Sequence, residues 1–349
     1  NVINIVVYLK LGLKDSISIC FFVLSCTDLV SVMLVVVGNT FTSLSDHFQT
    51  RWRTDGASVM WVLMAYYGPF YDISQGITTY IAVQKCWCVA LPFRFKNTFT
   101  RKRTAVILTG ISLALFAMHL PILASQSLAE MFDPVNNKTI IKLWAAENLE
   151  TIYSAVSLVS LVFTNTCQFT VIFCLIVLAS SLRASSKFRN ATIASTEKTS
   201  SELKTKFTDQ DLRNCLTSDE MRSGKHSKYG HGKITGKKSS GANTTAREDI
   251  TPAPLPVKTT SRKELLAIKS TTMVSTLFVS FNTLKLLNYY ALLCIPEYGI
   301  LGRYSGTYLV TNEMRITLEV LHCSCNMFIY LKFNTRYRST LLASCGRSR

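Results

Sequence analysis

Six charged residues stand inside long, mostly apolar stretches: Asp28, Asp72, Lys285, Glu313, Arg315 and Glu319. A charged side chain in a long apolar segment is expensive, so it normally pairs with another or marks a functional path. Their depths can be read from the spacing. Asp72 lies 13 residues before Lys85, and Glu319 lies 13 residues before Lys332. At ~1.5 Å per helical residue, both sit roughly 20 Å from those basic ends. Lys285 falls at roughly 21 Å and Asp28 at roughly 18 Å by the same count. Charges at one level suit the recognition of a polar or charged small molecule. They equally suit a structural ion-pair network that only sets helix packing. Arg315 stands i,i+4 from Glu319, the spacing of an intrahelical ion pair.

The elements that carry these groups are long apolar runs. The chain has 349 residues, 48 % hydrophobic and only 17 % charged, with a formal net charge of +17. A soluble domain carries about 25 % charged residues. Here apolar and charged segments are separated along the chain, the pattern of a multi-pass membrane protein. Runs of about 20 apolar residues fall at 17–37, 57–83, 104–124, 154–182, 270–295 and 307–331. A shorter run, 1–9, reads as the end of a further helix, on a chain that starts at Asn1. The expected fold is therefore an all-α integral membrane bundle of seven transmembrane helices, the first truncated, over residues 1–335. A cytoplasmic amphipathic helix and tail follow at 333–349.

Lys and Arg bias in the connections sets the orientation. Residues 93–103 carry Arg94, Lys96, Arg101, Lys102 and Arg103, and the tail carries Lys332, Arg336 and Arg338. These ends are expected to be cytoplasmic, and 38–56, 125–153 and 296–306 to face outward. The sequon Asn137-Lys138-Thr139 then lies outside, as a glycosylation site. Residues 184–262 are rich in Ser, Thr, Lys and Gly, and 183–269 hold 18 basic and 9 acidic residues. Such a stretch cannot bury enough apolar surface to order itself, so it reads as a disordered basic cytoplasmic loop. Three roles fit it: contact with anionic lipid, a substrate for kinases with arrestin as a further partner, or a solvated topological anchor. Tethering between membrane spans speaks against nucleic acid as a partner.

The 11 cysteines make no disulfide framework and no zinc spacing, since most lie within spans or on the reduced side. Cys345, shortly after the last span, reads as a palmitoylation site or a free thiol. No phosphate loop, HExxH or nucleophile elbow is present, so no enzyme, cofactor or metal is expected. His119, alone in its apolar run, reads as a packed histidine.

The run Gln84-Lys85-Cys86-Trp87-Cys88-Val89-Ala90-Leu91-Pro92 resembles the end of helix three in rhodopsin-like G-protein-coupled receptors. The molluscan chemosensory receptors among them, which read E-R-C-x-C-(I/V)-A-L-P there, are the most similar. Leu24-Ser25-Cys26-Thr27-Asp28-Leu29 resembles the family's helix-two L-x-x-x-D-L, and Asn1 its helix-one asparagine. Asn326-Met327-Phe328-Ile329-Tyr330 resembles N-P-x-x-Y in helix seven. The resemblance covers nearly the whole chain.

It implies a receptor for an external small-molecule cue, chemosensory in kind, acting through a heterotrimeric G protein at the plasma membrane. In that fold helices two, three, six and seven surround one cavity. Asp72, Lys285 and Glu319 would then form one cluster with Lys285 as its hub, and Tyr67, Tyr71, Asn282 and Tyr289 would line the pocket. Asp28 falls at the family's sodium-binding carboxylate, with His322, Ser324 and Asn326 around it. A purely structural hydrogen-bonding role fits Asp28 equally. Gln84, Lys85, Cys86, Pro92, Asn326 and Tyr330 fall at the coupling and switch positions. The chain departs from the pattern where Lys85 replaces the arginine, Gln84 the acid and Met327 the proline, and where the outer cysteine pair is absent. Two other readings follow: a membrane transporter, against which no internal repeat is visible, and a receptor-derived protein that no longer couples. Asn137→Gln is expected to abolish a glycan-dependent shift of the chain on a gel; a parent chain with no such shift contradicts the assigned outer side.

Overall fold

A computed structural model describes residues 1–47, 53–133, 137–216, 262–295, 297–299, 302–344 and 346. The described chain is mostly helical. It begins with α1 (Val2–Leu11), α2 (Ser16–His47), α3 (Gly56–Ala90), α4 (Pro92–Thr98) and α5 (Arg101–Ala124). A hairpin of β1 (Gln126–Asp133) and β2 (Lys138–Ala145) follows. Then come α6 (Leu149–Leu216), α7 (Arg262–Cys294), α8 (Ser305–Phe333) and α9 (Thr335–Ser344). The chain divides into two compact units, residues 1–182 with 261–349, and residues 183–260.

Local chemistry sets the boundaries. α1 stops at Gly12, whose φ of 75° is a left-handed conformation that a side chain disfavours. Asp55 caps α3 by accepting from the Ser58 backbone N–H at 3.0 Å, and from the Ser58 hydroxyl. α3 ends at Leu91 because Pro92 follows, and Pro92 then opens α4, where its missing N–H costs nothing. Thr100 caps α5 through the Arg103 N–H.

Among the described residues, four helices are long and apolar enough to cross a membrane: Ser16–Ser45, Arg101–Ala124, Leu149–Ser181 and Ile268–Cys294. The 57–83 and 307–331 runs lie in α3 and α8, which are 35 and 29 residues long. Their lower hydropathy has a physical origin. α3 packs against α2, α5 and α7 and buries Asp72, Ser74, Gln75, Thr78 and Gln84; α8 packs against α2 and α7 and buries Glu319, His322 and Asn326. The peripheral helices are apolar instead on their open faces, with Val106, Leu113, Val162, Phe169 and Phe173 among the most exposed side chains. The aliphatic core gathers Leu24, Ile73, Ile77 and Ile81, beside an aromatic group of Tyr8, Phe21, Tyr330 and Tyr337.

Two sequence expectations are corrected. First, the 125–153 connection is not plain loop, and the fold is not purely helical. β1 and β2 pair antiparallel, from Gln126 opposite Ala145 to Asp133 opposite Lys138. The reason is a β-branched run in Lys138–Ala145 that gains a further partner: the Ile141 N–H donates to the Arg53 carbonyl at 2.6 Å, and the Asp55 N–H donates to the Ile141 carbonyl at 3.0 Å. Backbone hydrogen bonds thus tie the hairpin to the start of α3, in a segment that has no cysteine. Second, the region expected to be disordered is helical over 184–216, where neither Gly nor Pro interrupts the chain. The remainder of that region, 217–261, and Cys345 lie outside the described residues.

The α2–α3 corner leaves no room at Gly56. A Cβ there would stand 2.6 Å from Ser45 Cβ, 2.8 Å from Thr42 Cα and 2.9 Å from the Phe41 carbonyl oxygen. Gly56→Ala is therefore expected to destabilise the fold by ~2 kcal/mol, as overpacking typically does, read as a lower thermal midpoint of the purified chain. An unchanged midpoint contradicts the close approach.

Candidate functional site

Asp72 stands in the middle of α3, and three other helices reach it. Lys285 of α7 donates to Oδ1 at 2.9 Å. His119 of α5 lies with Nε2 3.0 Å from Oδ2, and the Ser160 hydroxyl of α6 donates to the same oxygen at 3.1 Å. The carboxylate is 2 % exposed and the lysine 3 %. Removing such charges from water costs several kcal/mol per ion, which is offset only by good geometry and filled hydrogen bonds. Both conditions hold here. Gly68 permits the approach of α5: a Cβ at that position would stand 3.3 Å from the His119 ring. The Lys285 ammonium also lies 4.7 Å from the centre of the Tyr71 ring and 5.8 Å from that of Tyr289.

One helical turn along α3, a neutral network joins α3, α6 and α7. The Gln75 amide donates to Asn282 Oδ1 at 2.5 Å, and the Tyr71 hydroxyl donates to the same atom at 3.1 Å. Thr164 donates to Gln75 Oε1 at 3.3 Å. On the other side of Asp72, Tyr67 stacks on Tyr71 with ring centres 5.7 Å apart and donates to Glu319 Oε2 at 2.5 Å. One guanidinium nitrogen of Arg315, Nη1, lies 2.7 and 2.8 Å from the two oxygens of Glu319, and its Nη2 donates to Asn312 Oδ1 at 2.9 Å. A hydrogen bond between two charged groups is shorter and stronger than one between neutral groups.

Asp28 forms a separate node toward the other end of the helices. Its two oxygens accept from the Ser74 hydroxyl at 2.5 Å and the Asn326 amide at 2.9 Å. Gln84 makes a third node, donating to Ser16 at 2.7 Å and Thr104 at 3.3 Å while accepting from Cys20.

The structure brings together Asp72, Lys285, Tyr71 and Tyr289, and it links Tyr71 to Asn282. Glu319 makes no ion pair with Lys285 among the described residues. Arg315, one turn away on the same helix, reaches it first and takes both its oxygens. Asn326 sits at Asp28, but Ser324 does not: it is exposed and donates to the Val320 carbonyl of its own helix. His322 points between Phe278 and Phe281, at ring-centre distances of 5.8 and 6.2 Å, and neither of its nitrogens has a partner among the described residues. Lys85 is half-buried and Cys86 packs beside Cys174 and Phe278. Pro92 starts α4, and Tyr330 is buried against Phe21 with ring centres 4.7 Å apart. Asn137 is exposed at the hairpin turn.

His119 and Ser160 are the residues that sequence reasoning missed. The lone ionisable group of one apolar run faces the lone carboxylate of another, and that complementarity was the available signal for His119. Ser160 carried none. No family model and no curated protein matches the chain.

Removing one member of a buried pair strands the other. Lys285→Met or Asp72→Leu alone is expected to cost roughly 3–5 kcal/mol, and the double variant much less than the sum. Thermal denaturation of the three purified variants checks this. Additive losses contradict a direct pair.

Proposed function

We propose that this chain is a rhodopsin-like, seven-helix receptor of the plasma membrane that detects an external small molecule and signals through a heterotrimeric G protein. The observation that carries the reading is the charged cluster on Asp72, where α3, α5, α6 and α7 meet at a single carboxylate. A charged or zwitterionic ligand that competes for Lys285 or Asp72 changes how four helices are tied. Binding energy is thereby converted into a shift between two arrangements of the bundle. Tyr67, Tyr71, Tyr289 and Asn282, within a turn or two of the cluster, supply aromatic and amide surface to such a ligand. α1, α2, α3, α5, α6, α7 and α8 would be the seven spans, with α9 lying along the cytoplasmic face. The orientation follows from the basic residues of 93–103 and of the tail, and Asn137 would carry a glycan outside.

A specific observation favours a second reading, a receptor-derived protein that has lost coupling. At the cytoplasmic end of α3, Gln84 is locked in neutral hydrogen bonds to Ser16, Thr104 and Cys20. Lys85 has no carboxylate at salt-bridge distance among the described residues. The charged latch of the family is replaced there by a neutral one, which removes one of the two states that such a switch needs.

One experiment decides between the two. Second-messenger output is recorded from cells with confirmed surface expression while amino acids and other small water-soluble molecules are applied. The receptor reading expects a dose-dependent response whose potency falls roughly tenfold or more in Lys285→Ala, the scale of a lost hydrogen bond to a charged group. Silence that turns into a response on Gln84→Glu with Lys85→Arg supports the second reading. A response that Lys285→Ala leaves unchanged removes the charged cluster from recognition.

A further inference from the structure

Two thiols meet on helices that are distant in the chain. Cys86 of α3 and Cys174 of α6 stand 88 residues apart, both are free, and their side chains are in hydrogen-bond contact. We propose that they form a reversible oxidation site, at which hydrogen peroxide closes a disulfide between α3 and α6.

Helix register is the first argument. Asp72 of α3 meets Ser160 of α6. Cys86 lies 14 residues after Asp72, and Cys174 lies 14 residues after Ser160. Fourteen residues make about 3.9 turns, so each helix returns nearly the same face to its neighbour ~21 Å further along. The alignment that brings Ser160 to Asp72 therefore also brings the two thiols together.

Their surroundings are the second argument. Cys174 is 3 % exposed and packs in an apolar cluster with Ala82, Val171 and Phe278, and Cys86 packs against that cluster. Cys86 itself is half-buried, four residues before the end of α3, where Pro92 turns the chain into the basic 93–103 stretch. A small neutral oxidant reaches Cys86 from that end, while Cys174 is held beside it and shielded. This is the arrangement of a reactive thiol with a resolving partner. Other buried thiols are turned to oxygen instead: Cys20 donates to Gln84 at 3.6 Å, and Cys323 and Cys167 hydrogen-bond with Asp28 and Thr79.

The chemistry takes two steps. The Cys86 sulfur, its proton released to water, attacks one peroxide oxygen. An S–O bond forms, the O–O bond breaks, and the departing hydroxide takes up a proton, leaving a sulfenic acid and one water. The Cys174 sulfur then attacks the Cys86 sulfur. The S–S bond forms, the S–O bond breaks, and the Cys174 proton leaves with the hydroxyl as a second water. The thiols together lose two electrons, and the peroxide gains them. Thiol–disulfide exchange with glutathione reopens the bond. Closed, it ties α3 to α6 at a second height, far from Asp72. The inference is independent of whether the chain signals.

The full chain in nanodiscs is exposed to hydrogen peroxide, its remaining thiols are blocked with N-ethylmaleimide, and an unreduced digest is read by mass spectrometry. Peptides joined through Cys86 and Cys174 are expected as the main cross-link, lost on treatment with dithiothreitol. Cys174→Ser is expected to lose the cross-link and to leave Cys86 as a sulfenic acid that dimedone labels; Cys86→Ser is expected to lose both signals. A main cross-link to any other cysteine, or recovery of Cys86 and Cys174 as maleimide adducts in the peroxide-treated parent, overturns the site. Closure with copper phenanthroline but not with peroxide overturns the assignment of the oxidant.

Discussion

The buried ion pair between Asp72 and Lys285 is the constraint on which the rest of the bundle depends. An isolated charge at this depth is not tolerated, so α7 must present Lys285 to α3 wherever else it packs. Once that contact is made, the second carboxylate oxygen still needs donors, and His119 and Ser160 bring α5 and α6 to the same point. Four helices are thereby fixed in rotation and in height. Apolar packing alone specifies such rotations weakly in a membrane, where lipid is as good a solvent for leucine as another helix is.

The remaining polar nodes repeat this device at other heights of α3. Gln75 with Asn282 and Thr164, Asp28 with Ser74 and Asn326, and Gln84 with Ser16 and Thr104 each pair a buried group on α3 with a neighbouring helix or two. α3 is consequently the most connected of the long helices. The hairpin is drawn into the same logic by the Ile141 backbone, which hydrogen-bonds to the backbone of Arg53 and of Asp55, the cap of α3. Positioning of the hairpin is thus coupled to the start of the helix that carries Asp72.

Much of this was legible in the sequence, for definite reasons. Charge in an apolar run is conspicuous, and ~1.5 Å of rise per residue converts position into depth, so Asp72 and Lys285 stood out as a level pair. The i,i+4 spacing of Arg315 and Glu319 was equally readable. What the spacing did not contain was azimuth. A one-dimensional depth cannot say that Arg315 faces Glu319 more closely than Lys285 does, nor that Ser324 points outward while Asn326, two residues on, points in. His119 was visible but its partner lay on another helix, and Ser160 is one hydroxyl among many. The hairpin was missed because its strands are partly polar, and because the backbone of residues 53–55 supplies pairing that no pattern records. Helix over 184–216 was missed because composition was weighed above the simple absence of Gly and Pro.

The central claim is that Asp72 sits inside the bundle as an ionised carboxylate matched to Lys285. Infrared difference spectroscopy of the purified chain against Asp72→Asn, in lipid, tests it most directly. The account predicts that the substitution removes the paired stretching bands of an ionised carboxylate. Loss of a protonated carboxylic C=O band instead would show a neutral acid at this position, and would contradict the ion pair on which the arrangement of α3, α5, α6 and α7 has been argued.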